Sequence, residues 1–433
     1  MSQPARFQWR GLVGGVAMVL VAQWAACSGS VPSHSGSGGA AGTTSGTAGN
    51  SGSGNGGATV TGAGGGQVTG AGGSGPVTGA GGGTSASGGS PGGGGNGSGT
   101  GGSTTVRDGG APDLAPPTGP GPGTLGGGPV TTSTTHLDIG VHDPSMIWDG
   151  SNYYLFATGG SLNIRKSANL MQWTTAGKVY PAIPAWATAI IGTGLTSLWA
   201  PDISYFNGLF HVYWAGSTFG SNTSVIGLAT NVALDPTKAG YAWVDQGMVT
   251  QSKSTDNFNA IDPNVSFDQN GAPWLAFGSF WSGIKLHKLD PATGMFATDD
   301  PTLYSIAGRN GGAIEAASII SHNGFYYLFV SFDACCQGVN STYRTMAGRA
   351  TAITGPYADS TGKAMTNSGG DQLIATDGRY IGPGGGTAWK DGDNYLYVYH
   401  YYDGMANGAS KLLIRPITFG ADDWIVLGDP IFP

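Results

Sequence analysis

Five runs of aromatic and β-branched residues recur between residues 133 and 433, and each run follows a short segment with an acidic or small residue. The runs are residues 153–157, 210–214, 274–277, 325–330 and 395–400. With Asp143, Asp202, Asp262, Glu315 and Thr387 as markers of the preceding segments, the steps are 59, 60, 53 and 72 residues. A repeat near 60 residues with several strands per unit is typical of a β-propeller, so five units predict five blades.

The pattern within each unit predicts an all-β fold. Helical periodicity is scarce, and most of the strand-like runs are entered through glycine or asparagine turns. We expect the segment that opens each unit to form the innermost strand of its blade. Equivalent positions on innermost strands converge at one mouth of the central channel, so carboxyl groups far apart in sequence meet there. Several carboxyls around one cavity push their pKa values apart.

Glu315 is the only glutamate among 25 acidic residues, and it lies in the apolar run 312–320. Burial disfavours the charged form of a carboxyl, so a raised pKa suited to a general acid is expected. From this residue alone, a buried carboxyl with a structural hydrogen bond is an equal alternative. An aspartate next to proline is likewise often only a turn former. The recurrence in successive units favours a functional set.

The N-terminal third of the chain differs in composition from the rest. Arg6 and Arg10 precede an apolar stretch at 11–24 that is short for a membrane span, so residues 1–27 predict a secretory signal. Cys27 resembles the lipidated cysteine of bacterial lipoproteins, although Trp24 stands where leucine is usual; an ordinary signal peptide is the alternative. Residues 28–132 are mostly Gly, Ser, Thr, Ala and Pro, which predicts a disordered tether ahead of one folded domain at 133–433.

Charge and cysteine content limit the possible partners. The net charge of −7 and the isoelectric point near 5.3 argue against nucleic acid and anionic membrane surfaces. Neutral substrates are therefore favoured. Cys335 and Cys336 are neighbours, and adjacent Cα atoms lie about 3.8 Å apart, below the usual disulfide range. A bond between them would be strained, so we interpret them as loop residues whose redox state the sequence leaves open.

Seven segments together resemble family 43 of the glycoside hydrolases, and within it the endo-1,5-α-L-arabinanases. They are residues 142–145, 197–202, 260–264, 278–283, 314–316, 335–343 and 399–403. The resemblance covers residues 133–433. It implies a five-bladed propeller, in agreement with the repeat count, and inverting cleavage of internal α-1,5 bonds in arabinan or arabino-oligosaccharides.

The resemblance also implies roles for three carboxyls. Asp143 would be the general base and Glu315 the general acid, while Asp262 would orient Glu315 and raise its pKa. An inverting pair leaves room for water, so its carboxyls are expected about 6.5–9.5 Å apart. An exo-acting α-L-arabinofuranosidase or a β-xylosidase would keep the same three groups. A non-catalytic carbohydrate-binding propeller is the alternative of another class.

Further residues are implied by the same motifs. Trp199 and Phe219 fall where the family presents aromatic surfaces to sugar rings, although core packing is the alternative for Trp199. Asn264 and Ser279 are candidate contacts to substrate hydroxyls. Asp202 is interpreted as structural or supporting.

A metal ion is implied as well. His400 matches the motif that supplies one ligand to a channel metal, usually calcium, whose other ligands are mostly water. Some members carry a second histidine where this chain has Gly385. From the residues alone, a histidine at a strand end is more often a hydrogen-bonded core residue. The protein is expected to be an exported monomer, secreted or held at the cell surface through lipidated Cys27.

Overall fold

The computed structural model describes residues 130, 132–391 and 394–432. The predictions for a signal peptide, for lipidation of Cys27 and for nearly all of the disordered tether concern residues outside this part. In the described part, every helix is too short or too polar to cross a membrane.

Twenty strands of the described residues form five antiparallel sheets, each built from four strands that are consecutive in sequence. The strands are β1 Ser145–Trp148, β2 Tyr153–Phe156, β3 Asn163–Ser167, β4 Thr174–Lys178, β5 Trp199–Phe206, β6 Leu209–Gly216, β7 Ser224–Asn231, β8 Val244–Ser252, β9 Asn264–Phe267, β10 Pro273–Phe277, β11 Ile284–Lys288, β12 Tyr304–Ala307, β13 Ile314–His322, β14 Phe325–Phe332, β15 Arg344–Ala350, β16 Asp371–Ile374, β17 Tyr380–Asp391, β18 Asn394–Asp403, β19 Ala409–Phe419 and β20 Ile425–Leu427. One short helix, α1 Ala185–Ile191, lies between blades 1 and 2, and 3₁₀ turns occupy Gly338–Asn340, Met365–Asn367 and Gly404–Ala406.

The first strands of the five sheets surround a common axis. β1 contacts β5, β5 contacts β9, β9 contacts β13, β13 contacts β17, and β17 returns to β1. The five aromatic runs of the sequence lie in the second strands β2, β6, β10, β14 and β18. The predicted five-bladed propeller is therefore confirmed, with the opening segment of each unit as its innermost strand.

The hydrophobic core lies between blades because successive side chains of a strand point to opposite faces of its sheet. Trp214 packs with Phe156 in the cluster between blades 1 and 2, whereas its neighbour Tyr213 packs with Phe277 between blades 2 and 3. All four side chains are fully buried. This two-sided burial explains why the second strands read as unbroken apolar runs.

The ring closes through the residues that precede β1. Gly140 forms a β-bridge to Lys411 in β19, and the amide of Leu412 donates to the carbonyl of Ile139 at 2.9 Å. The first and last blades are therefore joined by backbone hydrogen bonds as well as by packing.

A residue with left-handed backbone geometry stands just before or within each innermost strand. These bulge residues are Asp143, Ala200, Asp262, Ala316 and Gly385, with φ of 48°, 40°, 56°, 53° and 57°. In blades 2, 4 and 5 the strand pairing shifts register across them, which is the mark of a β-bulge. Left-handed geometry in residues other than glycine is strained and is often kept at functional sites.

The positions of the bulge residues show that the five sequence markers are not all structurally equivalent. Asp143 and Asp262 are equivalent, but Asp202 and Thr387 lie two positions after their bulge residues, and Glu315 lies one position before its own. A shift of one or two residues across a bulge leaves the approximate repeat intact, so the spacing of markers could not reveal it.

Candidate active site

The five bulge residues line a small cavity on the channel axis. It has about 20 Å³ of space for water-sized groups, enough for about one water molecule. Asp143 and Asp262 contribute their carboxyl groups here, and Glu315 adjoins the bulge of blade 4. The sheet geometry thus brings together three acidic residues that are 53 and 119 residues apart in sequence.

Asp143 is surrounded by hydrogen-bond donors. Its Oδ2 accepts from His142 Nδ1 and from Thr158 Oγ1, both at 2.7 Å. Its backbone amide donates to His400 Nδ1 at 3.1 Å, and that nitrogen lies 3.6 Å from Asp143 Oδ1. Burial acts to raise the pKa of Asp143, but the charge and hydrogen bond of His142 outweigh it and lower that pKa to about 2. Gly385 is required beside it, since an added Cβ would lie 2.5 Å from Asp143 Oδ1. Asp143 is therefore ionised at any ordinary pH, and its side chain is still 21% exposed.

Glu315 lies in a more apolar environment and is 9% exposed. Its Oε2 accepts from Ser279 Oγ at 2.7 Å, and its Oε1 accepts from the Tyr343 hydroxyl. Burial raises the pKa of Glu315, and the charge of Asp143 raises it further, while the two hydrogen bonds lower it. The net shift is upward, so Glu315 holds a proton at a higher pH than an ordinary glutamate.

Asp262 contacts the main chain beside Glu315. Its Oδ2 accepts from the backbone amide of Ala316 at 3.0 Å. Burial raises the pKa of Asp262 well above its usual value, and the charges of Glu315 and Asp143 add to the effect. The charge of an ionised Glu315 therefore opposes ionisation of Asp262.

Two aromatic rings lie beside this centre. Trp199, in β5 next to the bulge residue Ala200, is half-buried, and its ring centroid lies 5.2 Å from that of Phe219. Phe219 is 61% exposed. An exposed aromatic ring supported by a second ring offers a surface for the apolar face of a sugar.

Asn264 and Ser279, the candidate contacts to substrate hydroxyls, both have protein partners in the structure. Asn264 is 4% exposed, donates through Nδ2 to Asp202 and accepts through Oδ1 from the amide of Ile319. Ser279 is 2% exposed and donates to Glu315. Both side chains are buried, and their polar atoms form hydrogen bonds with groups of neighbouring blades. The sequence motif does not show these partners.

His400 is fully buried next to Asp143, and its ring stacks on His142 at 3.9 Å between centroids. Burial and the charge of His142 lower the pKa of His400 well below its usual value, so its ring is neutral, as a metal ligand must be. His142, Asp143 and His400 offer three ligand atoms within 4.8 Å of one another. Calcium takes six to eight oxygen ligands. The residues therefore fit calcium only with water completing its shell.

The neighbouring cysteines form a disulfide in the structure. The sequence left their redox state open, and the structure joins them. The Cys336 amide donates to the Tyr402 hydroxyl at 2.7 Å, and the Cys336 sulfur lies 3.7 Å from His142 Nε2. The bonded loop therefore packs against the histidine that holds Asp143.

Several residues of the site were not singled out from the sequence. Tyr343 and His142 lie within motifs of the family resemblance, which is the only signal that could have found them. Thr158, which donates to Asp143 and accepts from the Ala200 amide at 2.7 Å, follows a strand with no distinguishing pattern. Its role depends on contacts between blades 1 and 2 and is visible only in three dimensions.

Fold and site together define a five-bladed propeller with one ionised and one protonatable carboxyl at the channel mouth, the arrangement expected of a glycoside hydrolase. The family described as Glycosyl hydrolases family 43 matches residues 137–425, so the chain belongs to this family.

Relatives within the family point to arabinan-active enzymes. The extracellular endo-α-(1→5)-L-arabinanase 1 of Bacillus subtilis is 45% identical over 287 residues, covering 65% of this chain and 86% of its own. The extracellular exo-α-(1→5)-L-arabinofuranosidase of Cellvibrio japonicus is 37% identical over 298 residues, covering 66% and 86%. The α-L-arabinanase of Cellvibrio cellulosa, solved in complex with arabinohexaose, is 36% identical with a TM-score of 0.65 and covers 67% of this chain and 96% of its own.

Proposed function

We propose that the protein hydrolyses internal α-1,5-L-arabinofuranosidic bonds of linear arabinan with inversion of configuration. The observation that carries this proposal is the opposite shift in the pKa of two carboxyls at one channel mouth, with the pKa of Asp143 lowered to about 2 and that of Glu315 raised. Similarity to the Bacillus subtilis endo-arabinanase, at 45% identity, supports the bond type and the internal cleavage.

The roles follow from these environments. Asp143 is the ionised base that takes a proton from water as the water attacks the anomeric carbon. Glu315 is the acid that gives its proton to the departing sugar oxygen on the opposite face. Asp262 fixes the backbone beside Glu315 by accepting a hydrogen bond from the Ala316 amide. When ionised, its negative charge would oppose loss of the Glu315 proton. Trp199 and Phe219 form the surface on which furanose rings of the chain stack.

Product analysis on debranched linear arabinan tests this function. An endo-acting enzyme releases a spread of oligomers early, and proton NMR of the first products shows the β-anomer before mutarotation. Arabinose as the sole early product would replace the proposal by exo action. Products from arabinan with Glu315→Gln at the wild-type rate would remove Glu315 from its role.

We also propose that a calcium ion binds beside His400, with water as most of its ligands. The neutral ring of His400 and the carboxylate of Asp143 supply the protein atoms, and the bound ion would add positive charge near Asp143. Metal analysis of the purified protein and the melting temperature in EDTA test this site. About one calcium per chain that is lost in His400→Ala supports it, and a metal content unaffected by His400→Ala would refute it. The same change at His322, the last residue of β13, is the control.

We propose export of the protein, since the two relatives from Bacillus subtilis and Cellvibrio japonicus are named extracellular. The finer proposal is attachment to a membrane through a lipid on Cys27. Fractionation of cells that express the full chain distinguishes the two. Wild type in the membrane fraction and Cys27→Ser in the soluble fraction would support the lipid, and equal release of both would refute it.

A further inference from the structure

A second ring of polar residues lies beneath the bulge residues, two positions further along each innermost strand. This inner ring consists of Ser145, Asp202, Asn264, Ser318 and Thr387. Four of its members accept a hydrogen bond from a backbone amide of the next blade. The pairs are Ser145 Oγ with Ile203 at 3.1 Å, Asp202 Oδ2 with Val265 at 2.9 Å, Asn264 Oδ1 with Ile319 at 3.0 Å and Ser318 Oγ with Ala388 at 3.0 Å.

Asp202 is the charged member of this ring and makes the most contacts. Its Oδ1 accepts from Ser145 Oγ at 3.2 Å and from Asn264 Nδ2 at 2.9 Å, and its Oδ2 accepts from the Val265 amide. The side chain is 3% exposed. Burial raises the pKa of Asp202 to about 7 although all three hydrogen bonds lower it. A carboxylate in this place is costly, so a neutral side chain would serve simple packing better.

The connections of Asp202 join the strands that carry the three carboxyls of the site. Ser145 lies two residues after Asp143 in blade 1, and Asn264 lies two residues after Asp262 in blade 3. Asn264 in turn binds the amide of Ile319 in β13, the strand that carries Glu315. One continuous chain of buried hydrogen bonds therefore runs from the strand of Asp143 to the strand of Glu315.

We propose that Asp202 is a positioning residue for the hydrolysis, because it fixes the separation between the strand of Asp143 and the strands of Asp262 and Glu315. This inference rests on the proposed roles of those three carboxyls. An inverting reaction needs a defined gap for water between base and acid. A displacement of about 1 Å between reacting groups can cost about 10²-fold in rate. Asp202 thus acts on catalysis without touching the substrate.

The hydrogen-bond pattern requires two acceptor oxygens at position 202. An asparagine that keeps its oxygen toward Ser145 and Asn264 turns its NH₂ group toward the Val265 amide, where two donors meet. The flipped asparagine satisfies Val265 but turns its NH₂ group toward the NH₂ group of Asn264. Either orientation breaks one link of the chain.

The same reasoning identifies a rescue. In the double variant Asp202→Asn/Asn264→Asp, the new amide at 202 accepts from Val265 and donates both protons, one to the carboxylate at 264 and one to Ser145 Oγ. Ser145 Oγ then accepts from position 202 as well as from the Ile203 amide, and its own proton turns away from position 202. The carboxylate at 264 still accepts from the Ile319 amide. The charge moves by one blade, but the links between the blades are restored.

Steady-state kinetics of Asp202→Asn, the double variant and wild type on linear arabinan test the proposal, with thermal unfolding of each. We expect Asp202→Asn to lower kcat about 10- to 100-fold with little change in KM. It should also shift the pH profile of kcat/KM, because Asp143, whose charge raises the pKa values of Asp262 and Glu315, loses its fixed distance from them. The double variant should recover most of kcat and the wild-type profile. Tyr213→Phe is the control. It removes a 2.7 Å hydrogen bond to Gly294 that joins blades 2 and 3, which are also joined by the hydrogen bonds of Asp202 to Asn264 and Val265.

The outcomes separate this inference from the proposed function. Folded Asp202→Asn with wild-type kcat and pH profile would overturn the positioning role while leaving the function intact. A loss of kcat in Tyr213→Phe equal to that in Asp202→Asn, at equal loss of melting temperature, would reduce Asp202 to a stabilising residue. A double variant with a kcat no higher than that of Asp202→Asn would also overturn the positioning role. Absence of arabinan hydrolysis in wild type would instead refute the function.

Discussion

The two sides of the channel mouth shift the pKa of a carboxyl group in opposite directions. On the side of blades 1 and 5, Asp143 accepts hydrogen bonds from His142 and Thr158, and its pKa falls to about 2. On the side of blades 3 and 4, Glu315 has neutral donors and a second buried carboxyl as its neighbours, and its pKa rises. Burial acts in the same direction on both groups, so the difference comes from the charges placed next to them.

The comparison shows how one fold obtains a base and an acid from similar side chains. His142 donates a hydrogen bond to Asp143 and its charge keeps Asp143 ionised, whereas the hydrogen bonds to Glu315 come from neutral hydroxyls and the charge of Asp143 raises the pKa of Glu315. Two carboxyls with separated pKa values are what acid–base hydrolysis of a glycosidic bond requires.

Removal of the two carboxyls tests the division of roles and should have the largest effect. Asp143→Asn and Glu315→Gln are each expected to lower kcat on arabinan about 10²- to 10⁴-fold, the usual contribution of a general acid or base. An aryl arabino-oligosaccharide with a good leaving group needs no proton from the acid. Glu315→Gln should therefore keep far more activity on it than Asp143→Asn. Equal losses in both variants on both substrates would contradict the assignment.

Replacing His142 by a neutral residue should reduce the difference in pKa between Asp143 and Glu315. In His142→Gln the charge that lowers the pKa of Asp143 is lost and burial then raises that pKa. Since the base acts when ionised, the acid limb of the kcat/KM profile should move to higher pH, and activity near pH 5 should fall severalfold. A pH–rate profile measures this shift, with His322→Gln as the matched control. An acid limb that stays in place would show that His142 does not set the ionisation of Asp143.

Loss of the Tyr343 hydroxyl, a neutral donor to Glu315, should increase the difference in pKa between Asp143 and Glu315. The Tyr343 hydroxyl lowers the pKa of Glu315, so Tyr343→Phe should raise that pKa. The acid acts when protonated, so the alkaline limb of the profile should extend to higher pH while the acid limb remains unchanged. Tyr357→Phe, which removes a buried hydroxyl bonded to Ile353 in the same blade, is the control. Movement of the alkaline limb to lower pH would contradict this account.

The smallest effect is expected for Phe219, which is proposed to contact the substrate but does not contact Asp143 or Glu315. Phe219→Ala should raise KM for linear arabinan about 2- to 10-fold, since one aromatic contact is worth about 0.5–1.5 kcal/mol. kcat and both limbs of the pH profile should stay unchanged. Val426→Ala, at another exposed apolar side chain, should have no effect on KM. A fall in kcat with constant KM would place Phe219 in the catalytic step.

The sequence predicted some parts of the molecule and missed others for identifiable reasons. The aromatic runs at 210–214 and 325–330 predicted strands correctly because two-sided burial makes such strands apolar throughout. For Asn264 and Ser279, the motif suggested contacts to substrate hydroxyls but could not show the hydrogen bonds that they make to other blades. The equivalence of Asp202 with Asp143 was wrong by two positions, since a bulge adds residues without changing the approximate period.

The sequence by itself determined the number of blades, the strand type of each unit and the presence of Asp143, Asp262 and Glu315 in innermost segments. These depend on local periodicity and composition, which a single chain displays directly. The tertiary structure decided which carboxyl is ionised, which polar residues face one another and how the innermost strands are linked through Asp202. A pKa and a hydrogen bond depend on groups contributed by other blades, and distances of a few ångströms between them exist only once the ring has closed.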